Sequence, residues 1–159
     1  MPRSPRFHLP GALYHITARG NNRQNIFLDK ADYLRYLANL EKAKGKFKFK
    51  LYCYALMPNH VHLLIQVGKT PISKIIQVIQ TAYTMYFNLK HQHTGHVFQG
   101  RFFSLIVDKE SHLLELTRYI HFNPVRAGLV TKPQDYPWTS YSQYLGKIKS
   151  DHPNLVDIS

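Results

Sequence analysis

Apolar and polar residues alternate along Leu13 to Arg19, the pattern of a half-buried strand. Tyr14, Ile16 and Ala18 share one face, and Leu13, His15, Thr17 and Arg19 share the other. Gly20, Asn21 and Asn22 mark a loop. From Asp29 the period lengthens to that of a helix. Asp29 is the expected N-cap, Tyr33, Leu34, Leu37 and Leu40 the buried stripe, and Gly45 the stop after Lys44. Phe49 to Met57 and Val61 to Val67 read as two strands, joined through the turn residues Pro58 and Asn59 into a hairpin. Thr70 or Ser73 is expected to cap a long helix to His91, with Ile72, Ile75, Ile76, Ile79, Tyr83 and Tyr86 inward. A loop, a strand from Phe102 to Val107 and a third helix opened by Asp108 or Ser111 follow. Pro124 is expected to close that helix, because the residue before a proline avoids the helical region.

The order strand, helix, strand, strand, helix, strand predicts an α+β fold of the ferredoxin-like βαββαβ type. Its antiparallel sheet carries two helices on one face, and the third helix is an addition. No repeat or linker divides the chain, so residues 1–159 read as one domain. Its core runs from about 7 to 125. A wrap over 126–159 holds Gly128 and Trp138, with a short helix near Tyr141.

Composition adds a charge. Lys and Arg total 21 against 9 Asp and Glu, a net +12, with 13% aromatic residues. Such a field attracts polyanions and points to nucleic acid. No apolar run reaches the roughly 18 residues needed to span a bilayer, so a membrane is not an expected partner. Met1 to Pro10 lacks an apolar signal core, and the lone Cys53 cannot form an internal disulfide, so a cytoplasmic location is expected.

The stretch from Met57 to Ile65 is the most informative. Val61, Leu63, Ile65 and Val67 form one apolar strand face, so His60 and His62 point together to the other. Two imidazoles so placed can converge on a metal, and equally can be surface residues at a strand end. His91, His93 and His96 match no zinc spacing and read as solvated loop histidines. On the third helix Leu113, Leu116 and Ile120 form a core stripe. Tyr119 and Asn123, four residues apart, share a face beside it. Periodicity alone singles out none of the 11 tyrosines.

Together, Leu13-Tyr14-His15-Ile16-Thr17-Ala18-Arg19-Gly20-Asn21, Met57-Pro58-Asn59-His60-Val61-His62-Leu63-Leu64, Phe98-Gln99-Gly100-Arg101-Phe102 and Arg118-Tyr119-Ile120-His121-Phe122-Asn123-Pro124-Val125 resemble the HUH single-tyrosine transposases of insertion sequences. HUH denotes histidine, bulky hydrophobic residue, histidine. The branch associated with repetitive extragenic palindromes (REP) in bacteria matches more closely, and Tyr136-Pro137-Trp138-Thr139-Ser140-Tyr141 is similar to it as well.

The resemblance implies a ferredoxin-like fold, Tyr119 as nucleophile, and His60, His62 and Asn123 as ligands of Mg²⁺ or Mn²⁺. It implies a DNA transposase that cleaves and rejoins hairpin-bearing single-stranded DNA through a 5′-phosphotyrosine, acting in the bacterial cytoplasm as a monomer or homodimer. The alternative is a catalytically inactive or domesticated nucleic-acid-binding protein on the same fold. For DNA contact, His15, Thr17 and Arg19 are candidates by strand register. Arg23 and Arg101 are candidates by family position. Tyr52 and Tyr54, which alternate with Cys53 and Ala55, are expected either to face outward and stack on bases or to pack in the sheet. Lys42, Lys44, Lys46, Lys48 and Lys50 either track phosphates or form a solvated charged turn.

Overall fold

In a computed structural model, which describes residues 8–146 and 155–157, the alternation at Leu13–Arg19 becomes β1. The hairpin becomes β2 (Lys50–Met57) and β3 (His60–Gln66), and β4 spans Phe103–Ile106. The antiparallel sheet has the order β2-β3-β1-β4. Helices α1 (Lys30–Phe47) and α2 (Ile72–His91) pack on one face. Tyr14, Ile16 and Ala18 from β1 and Val61, Leu63 and Ile65 from β3 meet Leu40, Ile75, Ile79 and Tyr83 there. Burying this apolar surface is the main stabilising contribution, at about 25 cal/mol per Å².

Helix α3 (Lys109–His121) lies across the second face. Its Ile120 packs with Cys53, Ala55 and Leu64, and half-buried Leu113 and Leu116 flank them. The cysteine is sealed in this smaller core, and burial pushes its thiol up to about 12.

Several elements depart from the pattern. Opposite Ile65 and Leu64 stand Leu51 and Cys53, so Tyr52 is the extra residue of a β-bulge. The bulge reverses the faces. Tyr54 turns into the α1–α2 core and is buried, which removes it as a base-stacking residue. Tyr52 stays on the α3 side, with its hydroxyl donating to Gln66 Oε1 at 2.5 Å at the far end of the sheet from His60.

Helix α1 is capped by Asp29, whose carboxylate accepts from the Asp32 N–H at 3.0 Å, but it runs through Gly45 and stops at left-handed Lys48. Its buried stripe is Asp32, Tyr36, Leu37, Leu40 and Ala43, with Tyr33 and Leu34 at the margin. Neither Thr70 nor Ser73 caps α2, which follows extended Pro71. Phe87 takes the inward place expected of Tyr86. His91 and His93 are partnered rather than solvated, with Asp32 Oδ2 at 2.8 Å and Asn88 Oδ1 at 2.6 Å.

Pro124 does not close α3. The break falls at Phe122 (φ −90°, ψ 0°), and a separate turn, α4 (Asn123–Arg126), begins there with Pro124 buried in its first turn. A proline at that place forfeits no helical hydrogen bond.

The wrap includes α5 (Tyr141–Tyr144) and covers the edge of β2. The Leu56 N–H donates to Trp138 O at 2.8 Å, and the Ser140 N–H to Tyr54 O at 3.1 Å. Farther along, the Asp157 N–H donates to Leu51 O at 2.7 Å and its carboxylate pairs with Lys44 at 2.7 Å. That ion pair commits Lys44 to the fold. Covering the edge leaves no free strand there for another chain to pair with.

Candidate active site

The turn before β3 is held tightly. The Gly20 N–H donates to Asn59 O and the Ile26 N–H to Pro58 O, each at 2.8 Å. A Cβ on Gly20 would lie 2.1 Å from Gln24 O, so only glycine lets the chain pass this close. Strand pairing then sets Thr17 opposite His62 and Arg19 opposite His60. His60 and His62 lie on the face away from α1 and α2, as the alternation predicts.

Hydrogen bonds orient both rings. Asn59 gives its amide N–H to Arg23 O at 3.4 Å, so its Oδ1 accepts from His60 Nδ1–H at 2.8 Å. His62 Nδ1 lies 3.0 Å from His15 Nε2 and 3.4 Å from Thr17 Oγ1. The His60 and His62 rings are 5.0 Å apart and nearly perpendicular.

The end of α3 and the start of α4 bring the remaining groups. Asn123 Nδ2 is 3.0 Å from His62 Nε2, and the same amide reaches His60. The Tyr119 ring stands edge-on to His62 at 6.2 Å. All four residues come together within the one chain. His62 is 6% exposed and Tyr119 48%, which shields the imidazole and leaves the phenol open to a large substrate.

Burial, reinforced by His60, His15, Arg126 and Arg19, lowers His62 to about 3. Burial and then Arg19 lower His60 against an opposing bond from Asn123, and burial lowers His15. Both strand histidines are therefore neutral at physiological pH and keep a lone pair for a ligand. A half-turn of the Asn123 amide puts oxygen where its nitrogen stands. The 3.0 Å between that position and His62 Nε2 matches the spacing of adjacent ligands on an octahedral ion with bonds of about 2.1 Å. Two imidazoles and an amide oxygen thus fit a divalent cation, with room left for substrate oxygens.

Beside this cluster runs a groove of about 600 Å³, lined by Thr17, Arg19, Arg23, Arg101, Phe103 and Tyr119 among others. Three arginines and no carboxylate among its lining residues suit an anionic chain. His15, Thr17, Arg19, Arg23 and Arg101 all border it, whereas Tyr52 and Tyr54 do not. The pattern of the chain did not single out Arg126. Its guanidinium stacks 4.0 Å from the centre of the Tyr119 ring and also donates to the Tyr119 carbonyl oxygen. The signal available was its position two helical turns after Tyr119.

A family model described as IS200-like transposase matches residues 9–123. A Haemophilus influenzae protein provisionally named a REP-associated tyrosine transposase is 26% identical over 144 residues, 82% of this chain and 80% of that protein. The REP-associated tyrosine transposase of Escherichia coli K12 is 22% identical over 138 residues, 86% of this chain and 80% of its own. A REP-associated tyrosine transposase solved bound to a REP hairpin superposes with a TM-score of 0.79 at 19% identity, covering 100% of this chain and 96% of the other.

Proposed function

The chain belongs to the IS200-like transposase family, a family of DNA-cleaving enzymes, and from that premise we propose that it cleaves and rejoins hairpin-bearing single-stranded DNA with Tyr119 as the nucleophile. The observation that carries this reading is the meeting of Tyr119, His60, His62 and Asn123 at one end of a groove lined by arginines. The hairpin bound by the structural relative makes hairpin DNA the substrate class to test.

Arg19, Arg23 and Arg101 hold the phosphate backbone along the groove and draw the scissile phosphodiester toward Tyr119. The phenol oxygen attacks phosphorus, the phenol proton is lost, and the 3′-oxygen leaves as a hydroxyl. The product is a 5′-phosphotyrosine, which conserves the energy of the phosphodiester. A second 3′-hydroxyl can displace the tyrosine and restore DNA without ATP. His60, His62 and Asn123 would hold Mg²⁺ or Mn²⁺, which supplies Lewis-acid stabilisation of the phosphate oxygens. Exposure of Tyr119 near the end of α3 lets the covalent strand pivot while His60 and His62 stay fixed on β3.

The test is incubation of the full chain with hairpin-bearing single-stranded DNA and Mg²⁺. The proposal expects a covalent protein–DNA adduct, absent with EDTA. Free cut ends without adduct indicate a hydrolase that activates water. Binding without cutting indicates a silent binder.

A further inference from the structure

His15 does not sit in the groove as a simple contact for DNA. Its ring stacks on His62 at 5.2 Å, with 24° between the planes, and its Nε2 lies 3.0 Å from His62 Nδ1. The proton on that contact can be assigned from the other side of His62. With Nε2 on the side of Asn123 and the proposed cation, it must carry the lone pair to serve as a ligand, so Nδ1 carries the proton. His15 Nε2 is then the acceptor.

On this basis we propose that His15 is a positioning residue for His62, fixing its tautomer and ring plane so that Nε2 faces Asn123 and the cation. The proposal rests on the metal reading given above and deepens it. The arrangement parallels that of His60, whose Nδ1–H is accepted by Asn59. His60 is thus held from behind by Asn59, and His62 by His15 with Thr17 Oγ1 farther off at 3.4 Å, and an outer partner of this kind orients a metal ligand and raises its basicity. The β1–β3 pairing makes the contact possible. Thr17 stands directly opposite His62, and His15 lies diagonally beside it on the same face.

The acceptor is a neutral imidazole, where such sites more often use a carboxylate or a backbone carbonyl. It fixes geometry without adding negative charge. The ligand cluster therefore stays free of carboxylate among the described residues, and the arriving phosphodiester supplies the anion.

Two variants of the full chain separate this role from DNA contact. His15→Phe keeps a flat ring and removes the acceptor, and His15→Gln keeps a side-chain acceptor. Mn²⁺ affinity without DNA is read by electron paramagnetic resonance. The His62 tautomer in metal-free protein is read by long-range ¹H–¹⁵N spectra, and hairpin affinity is read in EDTA. His15→Phe is expected to weaken Mn²⁺ binding by about 10- to 100-fold and to mix the His62 tautomers. His15→Gln is expected to restore most of the Mn²⁺ affinity. Unchanged Mn²⁺ affinity and tautomer in His15→Phe would overturn the proposal. Loss of hairpin affinity in EDTA without change in Mn²⁺ binding would overturn it in favour of a DNA contact. If the wild-type chain binds no Mn²⁺ with or without DNA, the metal reading fails, and an Nε2–H tautomer of His62 in the wild type separately refutes the role of His15.

Discussion

Histidines appear in two polar clusters on opposite sides of the sheet. Between α1 and the end of α2, Asp32 is fully buried and accepts from the Leu28 N–H at 2.9 Å, His91 Nε2 at 2.8 Å, Tyr86 at 2.8 Å and Lys90 at 3.0 Å. Lys90 also pairs with Asp29 at 2.8 Å. On the α3 side, His60, His62 and His15 have amides, a threonine and one another for partners, with arginines around them and no carboxylate among the described groove residues. Asp29, Asp32 and His91 come close enough together to hold a cation, but the ammonium of Lys90 already fills that place. The first cluster supplies its own donors to its carboxylates and locks α1 to α2. The second turns imidazole lone pairs and arginines toward an open groove, an arrangement that suits the proposed cation and phosphodiester. A cluster that is complete in itself is structural, and one that is incomplete is a site.

Breaking the incomplete cluster should have the largest effect. His60→Ala or His62→Ala is expected to lower single-turnover adduct formation by at least about 100-fold, the scale of losing a metal ligand, with hairpin affinity in a gel shift nearly unchanged. Equal losses in both assays would contradict the assignment. Breaking the complete cluster should act on stability instead. Asp32→Asn removes the buried carboxylate on which the Leu28 N–H, Tyr86, Lys90 and His91 converge and is expected to cost about 3 kcal/mol, seen as a lower urea midpoint, while adduct formation per folded molecule is unchanged.

Acid should reach the same cluster. Burial alone would raise the Asp32 pKa, but the Leu28 N–H, Tyr86, Lys90 and His91 outweigh it and hold the pKa at about 2, below the ordinary 3.8. The unfolded chain therefore takes up the proton first as pH falls. The stabilisation, about 2 kcal/mol by linkage, is fully present above pH 3.8 and is lost as pH falls through 2. Urea midpoints at pH 5 and near pH 2 should show this component in the wild type and lack it in Asp32→Asn. The smallest effect sharpens the contrast on the DNA side. Arg101→Ala should reduce the salt slope of hairpin binding by about one, and an unchanged slope would remove Arg101 from the phosphate path.

The sheet was legible where one strand face is continuously apolar. In β1 and β3 the alternation settled the faces, and with them the side on which His60 and His62 stand. In β2 the alternation is broken by the extra Tyr52, and nothing in the composition of that strand marks a bulge, so Tyr54 was misplaced. Gly45 was read as a stop, yet glycine is tolerated inside a helix, and the stop is a left-handed lysine three residues on. Asp32 looked like an ordinary acidic residue of a first helical turn. Only the packed structure shows that Tyr86, Lys90 and His91 converge on it from α2. Local spacing placed Tyr119 and Asn123 on one face, but the break at Phe122 that turns Asn123 toward His62 is a tertiary feature.

The most direct measurement is mass spectrometry of the chain after reaction with hairpin-bearing single-stranded DNA and Mg²⁺, with Tyr119→Phe beside it. The account predicts DNA attached to the peptide carrying Tyr119, and no adduct but intact hairpin binding in the variant. DNA attached to a different tyrosine, or an undiminished adduct in Tyr119→Phe, would contradict it.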